Sequence, residues 1–282
     1  MSTTISQLDF DTMRGFIEKQ CGIALGDDKK YLIESRLGRL LVESGSRDFS
    51  EFSRKVISSS DRQLQDKIVD AITTNETLWF RDGRPWEAFR DDILPAIGAK
   101  AAAGQRVRIW SAAASTGQEA YSMAMLIDEH CTRTGGSADR FEIVGTDISP
   151  SALFIAQAGR YDAVSMNRGL VGDWARYKAR YFQTTGRTAV VADSIKKRVK
   201  FQRFNLKDSF GSLGRFDVVM IRNVAIYFAP EFKRQLFKKV AAALTPDRAM
   251  FLGSSETLLG ISDDFVRAGT APYYRLARGG QR

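Results

Sequence analysis

The amino-acid sequence predicts an α/β fold: a mostly parallel sheet with helices on both faces, carrying a small antiparallel β insertion and preceded by a helical bundle. Three observations carry this. Residues 1 to about 75 place their apolar side chains at helical spacing only. From Arg106 to Asp147 a short strand, a run of small residues, a helix and a second strand succeed one another as a βαβ unit. Phe216–Ile221 is a further uninterrupted apolar strand, followed by helix and strand again. The expected divisions are a helical domain over 1–75, a linker and connecting helix over 76–98, and the αβ domain over 99–282, with the insertion at about 170–197.

Composition narrows the chemistry. At 282 residues with 44% hydrophobic content the chain can bury substantial cores. No apolar run approaches the length of a membrane span, and MSTTISQLDFDTM lacks the basic start and apolar stretch of a signal peptide, so a cytoplasmic protein is expected. Cys21, Cys131 and His130 are the only residues of their types. That excludes a disulfide framework and argues against zinc or Ser-His-Asp chemistry. A net charge of +9 points to an acidic partner, whether nucleic acid, lipid or protein, without choosing among them.

In order along the chain, Leu8, Met13, Phe16 and Ile17 line a first helix ending near Gly22. Ile33, Leu37, Leu40 and Leu41 line a second, from after Asp28 to Gly45. Phe49, Phe52 and Val56 mark a third, and Leu64, Ile68 and Ile72 a fourth. On the second, Lys29, Arg36 and Arg39 fall within a sector about 80° wide at 100° per residue, a stripe able to dock an acidic helix or simply a solvated face. Thr73 to Arg81 packs polar residues and large aromatics between two helical patterns. Trp79 and Phe80 can pack on a neighbouring domain, or the segment can fold over a site. A helix from about Pro85 to Ile97 and a loop from Gly98 to Gly104 lead into the αβ domain.

There, Val107, Ile109 and Trp110 form a first strand, Ser111 to Thr116 a small-residue turn, and Glu119 opens a helix. Phe141 to Gly145 forms a second strand running out at Asp147. Small residues let a ligand approach the backbone, and a carboxylate at a strand end can take both hydroxyls of a ribose. Because G-x-G-x-x-G is missing, a nucleoside cofactor without phosphate suits the turn best, above all S-adenosylmethionine. The ordinary alternative is an αβ turn in which Asp147 caps the following helix, which carries Leu153, Phe154 and Ala158 and ends near Gly159.

Residues 160–195 lose the βαβ rhythm, and Thr188 to Ala192 is β-prone. Val199–Phe201 leads to Asn205 and Leu206. Phe216–Ile221 ends in Arg222-Asn223, with Tyr227 beyond, which assigns Asn223 and Tyr227 to the same sheet mouth as Gly117 and Asp147. A helix over Glu231–Leu244, a strand over Ala249–Gly253 and a β-pair around Phe265 and Tyr273 complete the domain. RGGQR reads as a disordered tail.

TTNETLWFR (73–81), RIWSAAASTGQEAYS (108–122), GTDIS (145–149), FNL (204–206), FDVVMIRNVAIYF (216–228) and FLGSSE (251–256) resemble, in order, the motifs of the CheR family. These are the chemotaxis-receptor glutamate methyltransferases that use S-adenosylmethionine. The resemblance covers nearly the whole chain and implies a Rossmann-like S-adenosylmethionine-dependent methyltransferase domain, needing no metal and leaving S-adenosylhomocysteine as product. It implies that Asn75, Thr77 and Arg81 close over the cofactor from the linker, with Glu119 and Asp147 holding it from the strand ends, Asp147 at the ribose. Asn205 and Leu206 would flank the adenine, Arg222 and Asn223 the methionine, and Arg81 and Tyr227 would lie nearest the transferring methyl.

The implied partners are the cytoplasmic methylation helices of chemoreceptors, facing Lys29, Arg36 and Arg39, so the protein would join receptor arrays without inserting into the membrane. The insertion would be the family's β-subdomain, which grips a receptor C-terminal tail in some members. Here it is short and lacks a G-x-G turn. Gln118 and Ala120 stand where the family's STGEEPYS has glutamate and proline, which implies at most a shifted helix start. Two other readings use the same cofactor unit. One is a nucleic-acid methyltransferase, for which Trp79, Phe80 and Tyr227 offer little stacking platform, so no nucleic-acid partner is expected. The other is a non-catalytic protein that senses the cofactor or its product.

Overall fold

The computed structural model describes residues 4–58 and 61–277, so the RGGQR tail lies outside the described residues. The chain divides into two compact units: residues up to Thr74 with the short segment Tyr227–Phe232, and Asn75–Ile226 with the chain from Lys233 onward.

The first unit is helical: α1 (Gln7–Cys21), α2 (Lys30–Glu43), α3 (Phe49–Ser58) and α4 (Arg62–Ile72). Ser6 starts α1 by accepting the Asp9 N–H at 3.1 Å, and Gly22, with φ of 81°, ends it. Phe10, Met13 and Ile17 bury completely, whereas Leu8 is 77% exposed. Leu8 was expected in the apolar stripe but sits about 160–180° round the helix from Phe10 and Ile17. Ile33, Leu37 and Leu41 supply the buried face of α2. Asp61 caps α4 through the amides of Gln63 and Leu64.

The three residues of the basic stripe have different local partners. Lys29 precedes α2, in a 3-10 turn over Asp27–Lys29, and pairs with Asp28 at 2.5 Å. Arg36 donates to the carbonyls of Ile72 and Thr73 and to the Thr74 hydroxyl, satisfying backbone acceptors at the end of α4. Arg39 is exposed and pairs with Glu43 one turn on, at 2.7 Å.

In the same unit the return segment bonds through the Tyr227 carbonyl to the Ala24 N–H at 2.9 Å. Phe228 pairs with Ile23 as an isolated antiparallel bridge.

The second unit begins with the linker and a helical run: α5 (Arg84–Ala88), a π turn over Phe89–Ile93, and α6 (Leu94–Ala102). Pro95 lacks an amide donor, and the π turn just before it absorbs the missing bond. The helix runs on to Ala102, where a loop from Gly98 was expected, because Ile97 and Ala101 bury one face. There follow β1 (Val107–Ser111), α7 (Gln118–Thr134), β2 (Phe141–Asp147) and α8 (Pro150–Ala158). The insertion comprises β3 (Arg160–Asp162), α9 (Ala163–Asn167), α10 (Arg176–Tyr181), β4 (Phe182–Thr185), β5 (Thr188–Val191) and α11 (Asp193–Lys196). Then come β6 (Val199–Arg203), β7 (Phe216–Met220), α12 (Pro230–Ala243, in this unit from Lys233), β8 (Leu244–Phe251), β9 (Phe265–Arg267) and β10 (Tyr273–Leu276).

The main sheet has seven strands in the order β6-β2-β1-β7-β8-β10-β9. The first five are parallel, and β10 and β9 join antiparallel. Strand order reverses direction between β1 and β7, the switch point of a doubly wound sheet, where ligands bind beyond the C-terminal strand ends. Val107, Ile109, Ile143, Val218 and Met220 share one core with the helices over 84–102 and with α7. Trp110 instead stacks on Phe216 at 5.3 Å and meets Phe210 edge-on at 4.9 Å, and Lys239 of α12 lies over the Phe210 ring.

Strand β8 starts at Leu244, earlier than the expected Ala249, because Leu244 already pairs with Phe216 before a bulge. The small sheet runs β3-β5-β4 and is antiparallel. Its first strand lies at Arg160–Asp162, upstream of the expected insertion start. Trp79 is fully buried against it, edge-on to Tyr161 at 4.9 Å and Phe182 at 5.1 Å. Phe80 stacks on Trp174 at 4.3 Å and Tyr177 at 5.2 Å. The linker aromatics are therefore anchors that fix the backbone just before Arg81.

Candidate active site

Two polar clusters form at the C-terminal ends of β1, β2 and β7. The first surrounds Asp147, 8% exposed at the end of β2. One carboxylate oxygen accepts the Ser115 N–H at 2.8 Å, and the other accepts the Ser149 N–H at 2.9 Å. Ser115 holds a φ of 49° in the tight turn after β1. Gly117, at φ 97°, closes that turn where a Cβ would lie 3.0 Å from Ala156 Cβ. The cap of α8 is Ser149, whose hydroxyl accepts the Ala152 N–H, so Asp147 is not the helix cap. Asn75 reaches the same place from the linker: its carbonyl accepts the Ser115 hydroxyl at 2.8 Å and its amide donates to Ser149 Oγ at 3.1 Å. The Phe204 N–H bonds the Asp147 carbonyl at 2.9 Å, which brings the turn with Asn205 and the buried Leu206 beside it.

The second cluster centres on Arg222, whose side chain is 1% exposed. One terminal nitrogen donates to Glu119 Oε2 at 3.2 Å. The other donates to the Arg81 carbonyl at 2.7 Å and to Asp82 Oδ2 at 2.8 Å. Glu119 also accepts the Ser111 hydroxyl at 2.8 Å. Helix α7 begins at Gln118, one residue before the expected start, with Gly117 as its N-cap. The Arg81 carbonyl takes a second donor, Trp86 Nε1, at 2.9 Å, so its backbone is pinned twice. Its half-buried guanidinium donates to the Glu76 carbonyl at 3.3 Å. Thr77 is half-buried in the extended stretch between them.

Burial raises the Glu119 pKa, opposed by the Arg222 guanidinium and the Ser111 hydroxyl. The folded state thus keeps this proton to higher pH than the unfolded chain. The stability it contributes is complete below an unfolded value of about 4.3 and is lost as pH rises through the folded one. In Glu119→Gln that loss is absent, so the variant's Tm relative to wild type should climb from acid to neutral pH. A difference independent of pH, measured by thermal denaturation, would contradict this assignment.

The structure brings together Asn75, Asp147 and the Asn205–Leu206 turn, and separately the Arg81 backbone, Glu119 and Arg222, with Asn223 next in the chain. Lys29, Arg36, Arg39 and Tyr227 belong to the helical unit. Sequence reasoning missed Ser111, Ser115, Asp82 and Glu256. Ser111, Ser115 and Glu256 lie within the stretches quoted above but carried no assigned role there, and Asp82 lies just past one of them. His130 lies near the C-terminal end of α7, and burial holds its pKa below the ordinary value.

S-adenosylmethionine fits these groups. A carboxylate stands at the second strand end for a ribose, and the Arg222 Nε is buried with no hydrogen-bond partner among the described residues, where an amino-acid carboxylate would find a donor. Sheet order and site together define a doubly wound αβ domain whose polar clusters line the crevice at its switch point, where this class of fold binds its ligands.

The comparisons make this specific. The family model for the CheR methyltransferase SAM binding domain matches residues 75–274, and that for the CheR methyltransferase all-alpha domain matches residues 8–73. The chain belongs to the CheR methyltransferase family and is an S-adenosylmethionine-dependent methyltransferase. It is 44% identical over 266 residues to the chemotaxis protein methyltransferase 1 of Pseudomonas aeruginosa, covering 94% of this chain and 95% of that one. It is 41% identical over 276 residues to a chemotaxis protein methyltransferase of Vibrio parahaemolyticus, covering 97% and 98%.

Proposed function

We propose that the protein transfers the methyl group of S-adenosylmethionine to glutamate side chains of chemoreceptors, forming methyl esters for sensory adaptation. The observation that carries this is the buried constellation at the sheet's switch point, with Asp147 at the end of β2, Arg222 just beyond β7, Glu119 in the first turn of α7 and Arg81 pinned beside them. The relatives' role in chemotaxis supplies the acceptor class. Asp147 would hold the ribose, Asn75 and Thr77 would cover the cofactor from the linker, Asn205 and Leu206 would flank the adenine, and Glu119, Arg222 and Asn223 would meet the methionine.

When bound, the sulfonium supplies an activated methyl. A glutamate acceptor is already ionised at neutral pH, with a reference pKa of about 4.3, so no general base is required. That agrees with a single histidine, buried near the far end of α7. The remaining task is alignment and exclusion of water, and orientation alone can contribute roughly 7–11 kcal/mol. Arg81 would align the acceptor carboxylate through a charge-assisted hydrogen bond without fully neutralising it. The Tyr227 hydroxyl would assist, a role resting on the sequence resemblance alone.

The protein would act in the cytoplasm on receptor arrays. No described helix is long and apolar enough to cross a membrane. Replacing the methylated glutamates of a receptor fragment by alanine should abolish incorporation, and undiminished incorporation would sink the acceptor assignment.

Docking would use the basic side of α2, and the insertion's sheet could take a receptor tail. Because Arg36 serves backbone carbonyls at the end of α4, its reversal would also disturb the helical unit. Exposed Arg39 is the cleaner probe. Arg39→Glu should lower receptor methylation several-fold at low salt, on the order of 1 kcal/mol for one rim charge, and leave cofactor affinity intact. Equal initial rates at low salt would make Arg39 ordinary surface.

A further inference from the structure

Strands β7 and β8 part company just where the site residues begin. The Ile221 N–H still bonds the Phe251 carbonyl at 3.0 Å, and the loop Arg222–Ile226 then leaves the ladder. Asn223 in that loop has φ of 57°, a left-handed conformation that a non-glycine residue keeps only when its surroundings enforce it.

What enforces it is Glu256. One carboxylate oxygen accepts the amides of Asn223 and Gly253, both at 2.7 Å, and the other accepts those of Val224 at 3.1 Å and Ile226 at 3.3 Å. Gly253 makes the clamp possible: a Cβ there would lie 2.5 Å from the Asn223 side-chain nitrogen and 2.9 Å from Glu256 Oε2. Four backbone donors converging on one ionised carboxylate replace the missing ladder bonds with stronger, charge-assisted ones.

We propose that Glu256 is a positioning residue for the amino-acid end of the cofactor: by clamping the loop after β7 it fixes the backbone from which Arg222 and Asn223 project. This rests on the S-adenosylmethionine reading of the site and adds to it a residue to which that reading gave no role.

The test compares two product-like ligands by calorimetry. S-adenosylhomocysteine carries the amino acid, and 5′-methylthioadenosine lacks it. In Glu256→Gln, the amide nitrogen turns a donor toward two of the four N–H groups. That variant should bind S-adenosylhomocysteine on the order of tenfold more weakly while 5′-methylthioadenosine affinity stays within about twofold. Glu256→Asp, which keeps the charge and both acceptors, should recover part of the loss, and it serves as the probe if the Gln variant does not fold. Equal loss for both ligands, or no loss for either, overturns the proposal. A wild type that bound neither ligand would overturn the cofactor reading itself, and the proposal with it.

Discussion

Asp147→Ala is expected to weaken S-adenosylhomocysteine binding by on the order of 10²–10⁴-fold and to abolish methyl transfer at ordinary cofactor concentrations. Two hydrogen bonds from ribose hydroxyls to an ionised carboxylate are worth roughly 3–6 kcal/mol together, and about 1.4 kcal/mol is tenfold in affinity. The ribose hydroxyls would join the amides of Ser115 and Ser149 on this carboxylate. The same substitution releases the Ser115 turn, which adds to the loss. Unaltered affinity by calorimetry would remove Asp147 from the ribose.

Arg81→Ala should separate binding from turnover: cofactor affinity held within a few-fold, kcat reduced on the order of 10²–10³, the usual consequence of deleting one preorganised charge at a reacting centre. The structure explains why binding survives. Arg81 contributes its backbone carbonyl to Arg222 and Trp86, and alanine retains that carbonyl. Trp79 and Phe80 fix the preceding residues in the aromatic core of the insertion. Unchanged turnover on a receptor substrate would place Arg81 outside the reaction.

The elements of the αβ domain were legible because their signals are local. Val107–Ser111, Phe141–Asp147 and Phe216–Met220 are apolar runs bounded by turn residues, and topology then assigns their C-terminal ends to one mouth. What escaped depends on contacts between residues distant in sequence. Arg36 looked like docking surface because helical periodicity places it beside Arg39, yet it bonds Ile72 and Thr73, more than thirty residues on. Leu8 shows the converse, an apolar residue counted into a stripe that it lies opposite. The roles of Ser111, Asp82 and Glu256 were invisible because serine, aspartate and glutamate near turns are common and only the folded loops give them partners. The aromatics of the linker were recognised as unusual, but the sequence left open whether they covered a site or anchored a domain. Their complete burial against Tyr161, Phe182, Trp174 and Tyr177 makes them anchors.

The central claim is transfer of a methyl group to a receptor carboxylate. The most direct test incubates the protein with methyl-labelled S-adenosylmethionine and membranes carrying the organism's chemoreceptors, then treats the product with mild base. Label on receptor protein, released by base as methanol, is the predicted result. Base-stable label, or label on nucleic acid instead of receptor, would contradict it.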